Sequence, residues 1–165
     1  MKKYNCKLID FSTLNDQKTI MVLRWRNSDN IRKYMYNSSI ISKDDHINYI
    51  KKLKLDNNNK YFLIEQNNTN IGVIYFTNIN YTLKESEFGL YSNPSLKGVG
   101  DILIDTIIDY GFNILHLNKL KAEVFSNNIR AINLYKKYSF NQIGNKIVNK
   151  QKVICMELKD ENRKI

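Results

Sequence analysis

Proline occurs once, at Pro94, and no Pro/Gly/Ser-rich stretch interrupts the chain. With no linker and no internal repeat, the 165 residues read as one domain over 1–165. A domain of that size buries a core without covalent staples. Cysteine is almost absent: Cys6 and Cys155 stand far apart, each in an apolar-rich segment. They read as buried free thiols of a reducing compartment, which excludes a disulfide framework and a cysteine metal cluster. No metal is expected. No apolar run approaches the ~18–20 residues of a membrane span. The basic start, Met1-Lys2-Lys3, is followed by no apolar signal-peptide core. These absences predict a cytoplasmic protein without a membrane partner.

Positive charge is what the chain has in excess. It carries 26 Lys+Arg against 16 Asp+Glu, formally +10. Such an excess suits a polyanionic partner. The excess is mostly Lys, however, and comes with abundant Asn, Ile and Tyr, so base-composition bias explains it equally well. A nucleic-acid-binding module would use the charge. The chain nevertheless lacks an aromatic–basic RNP pattern, a helix-turn-helix signature and a zinc motif, so no nucleic acid is expected.

Hydrophobic spacing gives the element order. Residues 4–11 alternate as a first strand, and 14–26 have helical spacing. Asn27-Ser28-Asp29-Asn30 breaks that helix, and 31–36 resume as a short one. Ser42-Lys43-Asp44-Asp45 resembles an acidic capping box before the stripe Ile47, Ile50, Leu53. Strands follow at 61–65, 71–79 and 85–91, the first two joined around Asn67-Asn68-Thr69-Asn70. A long helix is expected over 101–117, a strand over 120–125, a helix over 128–138, and a closing hairpin over 140–147 and 152–158. The tail from Lys159 to Ile165 reads as a solvated end. The order describes a mixed α/β domain in which an antiparallel meander feeds a βαβ unit.

The sharpest local feature is Ser95-Leu96-Lys97-Gly98-Val99-Gly100, between a strand and the long helix. Glycines let backbone N–H groups turn inward, and a helix N-terminus adds partial positive charge. Together they suit a pyrophosphate, with Lys97 as a mobile charge beside it. The spacing is neither a nucleotide P-loop nor a dinucleotide Gly-x-Gly-x-x-Gly, and two glycines alone also serve a tight turn.

A second segment supplies the context. Residues 120–140 read Leu-Lys-Ala-Glu-Val-Phe-Ser-Asn-Asn-Ile-Arg-Ala-Ile-Asn-Leu-Tyr-Lys-Lys-Tyr-Ser-Phe. With Glu87-Phe88-Gly89-Leu90-Tyr91 and Lys97-Gly98-Val99-Gly100 upstream, this strongly resembles the GNAT superfamily of acyl-CoA N-acyltransferases. The resemblance implies a GNAT fold: a mixed, mostly antiparallel central sheet flanked by helices. It implies acetyl-CoA as cosubstrate, with Gly98, Val99, Gly100 and Lys97 around its pyrophosphate. The strand end at Leu90 and Tyr91 would pair with the pantetheine arm, and Asn128 would hydrogen-bond that arm. Tyr135 would lie near the thioester sulfur and protonate the departing thiolate. A phenol of reference pKa ~10 is protonated at neutral pH, as that role requires. Ser95 and Leu96 depart from the superfamily's usual Arg or Gln and Gly.

The acceptor amine must also lose a proton. Glu87 and Glu123, on the two central strands, would each hold a water for that purpose; His46 is a third candidate. The N-terminal third narrows the resemblance. Leu23-Arg24-Trp25-Arg26-Asn27, Tyr34-Met35-Tyr36 and Asp45-His46-Ile47-Asn48-Tyr49 are similar to the N-acetyltransferases of pseudaminic acid biosynthesis, as is Asn93-Pro94-Ser95-Leu96 before the glycines. That group acetylates the 4-amino group of a UDP-4-amino-4,6-dideoxy sugar of the N-acetyl-β-L-altrosamine type, on the route to a flagellin-modifying acid. The resemblance implies that Arg26 and His46 would contact the UDP-sugar. Met35, Tyr36 and Tyr49 would form an apolar wall, and Tyr75 would tune acceptor choice from its strand. Direct amine attack without a covalent enzyme intermediate is expected, since neither cysteine is placed as a nucleophile and Gly-x-Ser-x-Gly is absent. A protein N-terminal or lysine acetyltransferase shares several of these motifs, although +10 disfavours a basic peptide substrate. A homodimer through the apolar edge of the C-terminal hairpin is a further expectation.

Overall fold

A computed structural model describes residues 4–163. Seven strands form one sheet in the order β1-β2-β3-β4-β5-β7-β6. The strands are β1 (Lys7–Asp10), β2 (Lys60–Gln66), β3 (Thr69–Asn80), β4 (Glu85–Ser92), β5 (Lys119–Phe125), β6 (Asn141–Val148) and β7 (Gln151–Lys159). All pairs are antiparallel except β4 with β5. A parallel pair needs a crossover, and the helix α4 (Gly100–Asp109) supplies it. Two turns are tight because asparagine tolerates left-handed backbone. Asn67 and Asn68 (φ 50 and 62) close β2–β3, and Asn149 and Lys150 (φ 51 and 62) close β6–β7.

Each face of the sheet carries its own core. On one face α4 and α5 (Ile129–Lys137) cover Ile74, Phe76, Phe88, Leu120 and Met156. On the other, α1 (Asp16–Arg26) and α3 (Lys43–Leu53) cover Leu63, Val73 and Tyr91, with Val22 and Trp25 inserted from α1. Burial of such side chains is the main stabilising term, ~25 cal/mol per Å² of apolar surface. Among the described residues no helix is long and apolar enough to cross a membrane.

Several elements differ from the sequence expectation. The first strand shrinks to Lys7–Asp10, because Asp10 caps a short 3-10 turn over Phe11–Thr13. The short helix expected over 31–36 is instead α2 (Asp29–Arg32), starting directly after Asn27 and Ser28. Residues 33–42 then form a loop, because Arg26, Asn27 and Arg32 bind its carbonyls at Asn37, Ile41 and Ser38. The long helix ends its α portion at Asp109 and continues as a π turn over Tyr110–Ile114, with Leu115 N–H bonded to Tyr110 O. Gly111 brings that turn against Leu120, only 3.0 Å from where a Cβ would stand. Cys6 and Cys155 are half-buried rather than fully buried. The tail expected from Lys159 onward first completes β7 and a 3-10 turn over Asp160–Asn162. The leading Met1-Lys2-Lys3 and the final Lys164 and Ile165 lie outside the described residues.

Candidate active site

The parallel pair β4–β5 is closed at one end only. It pairs Glu85, Ser86 and Glu87 with Lys119, Leu120 and Lys121. Lys121 Nζ on Glu85 Oε1, at 3.0 Å, fastens that closed end. Beyond it the strands part. β4 stays on β3 as far as Ser92, and β5 stays on β7 as far as Phe125. From Phe88 on one side and Ala122 on the other, two strand edges therefore face a wedge with their hydrogen-bonding groups free of each other. Leu90 and Tyr91 lie on the β4 side of this wedge. An extended amide-bearing chain entering it would complete the ladder, as an added strand does.

The glycine loop stands at the mouth of the wedge. Asn93 pins it, donating to Asn70 O and accepting from Ser95 N–H. Gly98 has φ +76 with open space around its Cα, and Lys97 is exposed. Val99 caps α4 without a side-chain hydrogen bond, so the first-turn amides receive no internal acceptor from the cap. Gly100 lets α4 start 3.2 Å from Leu134 of α5, measured from an added Cβ. The amide-rich turn, the helix N-terminus and the lysine have the chemistry that suits an anion. Asn128 caps α5, its Oδ1 accepting from Ala131 N–H at 3.4 Å.

Tyr135 projects from α5 and is 6% exposed, wedged edge-on against Phe88 (5.4 Å) and beside Phe140 (5.7 Å). Burial, reinforced by the nearby Tyr75 phenol, pushes its ionisation well above the ordinary range. It is therefore a protonated phenol at any working pH.

The opposite face of the wedge is aromatic. Tyr61, Tyr75 and Gly89 stand in direct register across β2, β3 and β4. Tyr61 stacks on Tyr75 at 4.8 Å, Tyr49 meets Tyr61 edge-on at 5.5 Å, and Tyr91 lies 6.4 Å from Tyr75. The Tyr75 hydroxyl points at Met35 Sδ, 3.9 Å away. Arg26 donates from Nη2 to Asn37 O at 2.9 Å, while its buried Nη1 has no partner among the described residues. Burial raises the Tyr75 and Tyr91 phenols, and the Arg26 charge pulls both back toward ionisation, placing the guanidinium beside this cluster.

The two carboxylates have different partners. Glu123 accepts from the Tyr36 hydroxyl at 2.6 Å and from Lys146 Nζ at 2.6 Å. Burial opposes its ionisation, but these two donors outweigh burial and hold the carboxyl below its usual range. Tyr36 also packs edge-on against Phe125 at 5.5 Å. Glu87 accepts from Asn78 Nδ2 at 2.6 Å through Oε2 alone among the described residues.

His46 sits elsewhere. The ring is buried in the joint between α3 and α1, with Nε2–H donating to Thr19 O at 2.9 Å. The ring that the sequence analysis assigned to the UDP-sugar is thus packed between two helices. Only the packing of α3 on α1 places it there. Sequence reasoning missed Tyr61, Lys146 and Asn149. Tyr61 was reachable through strand alternation, whereas the other two come from a hairpin whose placement depends on the sheet order.

Parting parallel strands beside an amide-rich helix start fit the class of acyl-CoA N-acyltransferases. The family model for the acetyltransferase (GNAT) family matches residues 21–140, and the chain belongs to that family. It is an N-acetyltransferase that takes its acetyl group from acetyl-CoA. More particularly, the chain is 45% identical over 134 residues to the acetyltransferase PseH of Campylobacter jejuni, covering 81% of this chain and 83% of that protein. The crystal structure of Campylobacter jejuni N-acetyltransferase PseH in complex with acetyl coenzyme A superposes with a TM-score of 0.78 at 37% identity, covering 94% of this chain and 99% of the other. Spermidine N-acetyltransferase from Vibrio cholerae, in complex with CoA and spermine, superposes with a TM-score of 0.85 at 27% identity, over 94% and 96%. Backbone similarity favours the second and side-chain identity the first.

Proposed function

We propose that this enzyme acetylates the 4-amino group of a UDP-4-amino-4,6-dideoxy sugar of the N-acetyl-β-L-altrosamine type, in the biosynthesis of pseudaminic acid for flagellin. The observation that carries this reading is Nη1 of Arg26, a buried atom without a partner among the described residues, beside an aromatic wall. A half-buried guanidinium with one buried donor left over suits an anion and repels a polyammonium substrate such as spermidine. Arg26 grips the diphosphate. Met35, Tyr36, Tyr49 and Tyr75 supply the apolar surface for the base and the 6-deoxy face of the sugar. His46 serves the α1–α3 joint and does not touch the sugar.

On the donor side, Leu90 and Tyr91 offer strand-edge backbone to the pantetheine arm, and Asn128 donates to it. Lys97 and the amides of Gly98, Val99 and Gly100 hold the pyrophosphate. The acceptor nitrogen bonds to the thioester carbonyl carbon, the carbon–sulfur bond breaks, and Tyr135 gives its proton to the sulfur. The proton released by the amine passes through water to Glu87. Glu123, engaged by the Tyr36 hydroxyl and Lys146, orients Tyr36 instead. The enzyme works in the cytoplasm, and it pairs as a homodimer along the outer edge of β6, where Ile143 and Ile147 are 54% and 69% exposed.

The test supplies acetyl-CoA with the UDP-4-amino sugar, spermidine or a peptide amine, and follows free thiol. Turnover of the nucleotide sugar at a kcat/KM well above the others is expected. Faster acetylation of spermidine or the peptide sinks the acceptor reading. Size-exclusion chromatography of Ile147→Lys against the parent protein checks the dimer; an unshifted parent monomer removes it.

A further inference from the structure

The β6–β7 hairpin forms the sheet edge opposite β1, yet two of its side chains reach the acceptor wall. Lys146 Nζ lies 2.6 Å from Glu123 Oε2, while the Tyr36 hydroxyl occupies Glu123 Oε1 at 2.6 Å. Asn149, in the hairpin turn, donates from Nδ2 to the Tyr36 carbonyl at 2.9 Å. Tyr36 is thus held at its backbone by the hairpin directly and at its hydroxyl through a carboxylate that the hairpin pins. No other hydrogen bond of Tyr36 is needed to fix both ends of the residue.

The segment that Tyr36 belongs to needs such fixing. Residues 33–42 contain no helix or strand. Loops of that kind open at low energy unless tied down. Met35 and Tyr36 sit in it: the Tyr75 hydroxyl points at Met35 Sδ, and Tyr36 packs edge-on against Phe125. Lys146 is itself about half exposed, so its ion pair adds little to global stability. A contact that stabilises the fold weakly but fixes a substrate-facing side chain acts through geometry.

We infer that Lys146 and Asn149 are positioning residues for the acceptor: they clamp Tyr36 and Glu123, and so set the shape of the wall that receives it. The inference rests on the acceptor reading above for its kinetic consequence, but not for its structural one. The Lys146→Met variant removes the charge at similar length. Lys146→Arg restores it, and Asn149→Gly removes the donor while keeping the left-handed backbone.

Lys146→Met and Asn149→Gly are expected to raise KM for the nucleotide sugar about tenfold or more, with KM for acetyl-CoA unchanged and Lys146→Arg near the parent value. The melting temperature should stay within about 3 °C. An acceptor KM within twofold of the parent, or an equal rise in acetyl-CoA KM, overturns the inference. Hydrogen exchange of residues 33–42, measured on the full chain without acceptor, should quicken in both variants. Unchanged exchange also overturns it. If the parent enzyme fails to turn over the nucleotide sugar, the acceptor reading falls, and the exchange experiment alone decides the clamp.

Discussion

The Tyr75 ring lies directly over Gly89, its partner across the β3–β4 ladder. A Cβ built on Gly89 would stand 2.1 Å from Tyr75 Cζ. The glycine therefore makes room for the aromatic row that continues from Tyr75 to Tyr61 and Tyr49. Replacing Gly89 with Ala should force Tyr75 off its stack on Tyr61. We expect a loss of about 1–3 kcal/mol, the usual cost of overpacking. Adding Tyr75→Ala should relieve the clash, so the two substitutions will be non-additive. Urea unfolding of both single variants and the double variant measures this coupling.

Tyr135→Phe keeps the packing against Phe88 and Phe140 and removes one proton. If this phenol protonates the leaving thiolate, kcat should fall about 10²–10⁴-fold, with smaller changes in either KM. Because burial holds Tyr135 protonated, its ionisation should not appear as a limb in the pH–rate profile between pH 6 and about 10. Steady-state kinetics on the variant check the first point. An unchanged kcat removes Tyr135 from the chemistry.

Arg26→Gln takes away the charge that faces the proposed diphosphate. The KM for the nucleotide sugar should rise about 10–100-fold, while binding of acetyl-CoA is preserved. Calorimetry with each ligand separates the two effects. Equal losses for both ligands would place Arg26 in the fold rather than the acceptor site.

His46 gives the fold a pH signature. Burial in the α1–α3 joint lowers its ionisation below the ordinary value, against the smaller opposing effect of the Thr19 carbonyl. The folded protein then binds fewer protons than the unfolded chain near and below the unfolded pKa. Stability from this group is fully present above about pH 6.5 and is lost as pH falls toward the folded value. The melting temperature should drop between pH 7.5 and 5, by less in His46→Gln, where the donor to Thr19 remains without the charge. Identical pH slopes in parent and variant would remove His46 as the source.

The boundary between sequence and tertiary structure follows physical lines. Alternation and turn residues determined the β2–β4 meander, and the Asn67-Asn68 turn lies where its left-handed tolerance requires. The glycine loop ahead of an apolar helix, and the helix from Asn128 to Tyr135, were legible in the sequence, because a helix terminus and a helix face are local objects. The +10 charge found no such local meaning: the proposed acceptor site uses one half-buried arginine, Arg26, and most of the lysine excess has no assigned role. Only the tertiary structure decided that β4 and β5 part after Glu87, that His46 turns inward onto α1, and that Lys146 reaches Glu123 from the sheet edge. Those facts depend on strand order and interhelical packing, which join residues far apart in the chain, and hydrophobic period carries no information about such pairings.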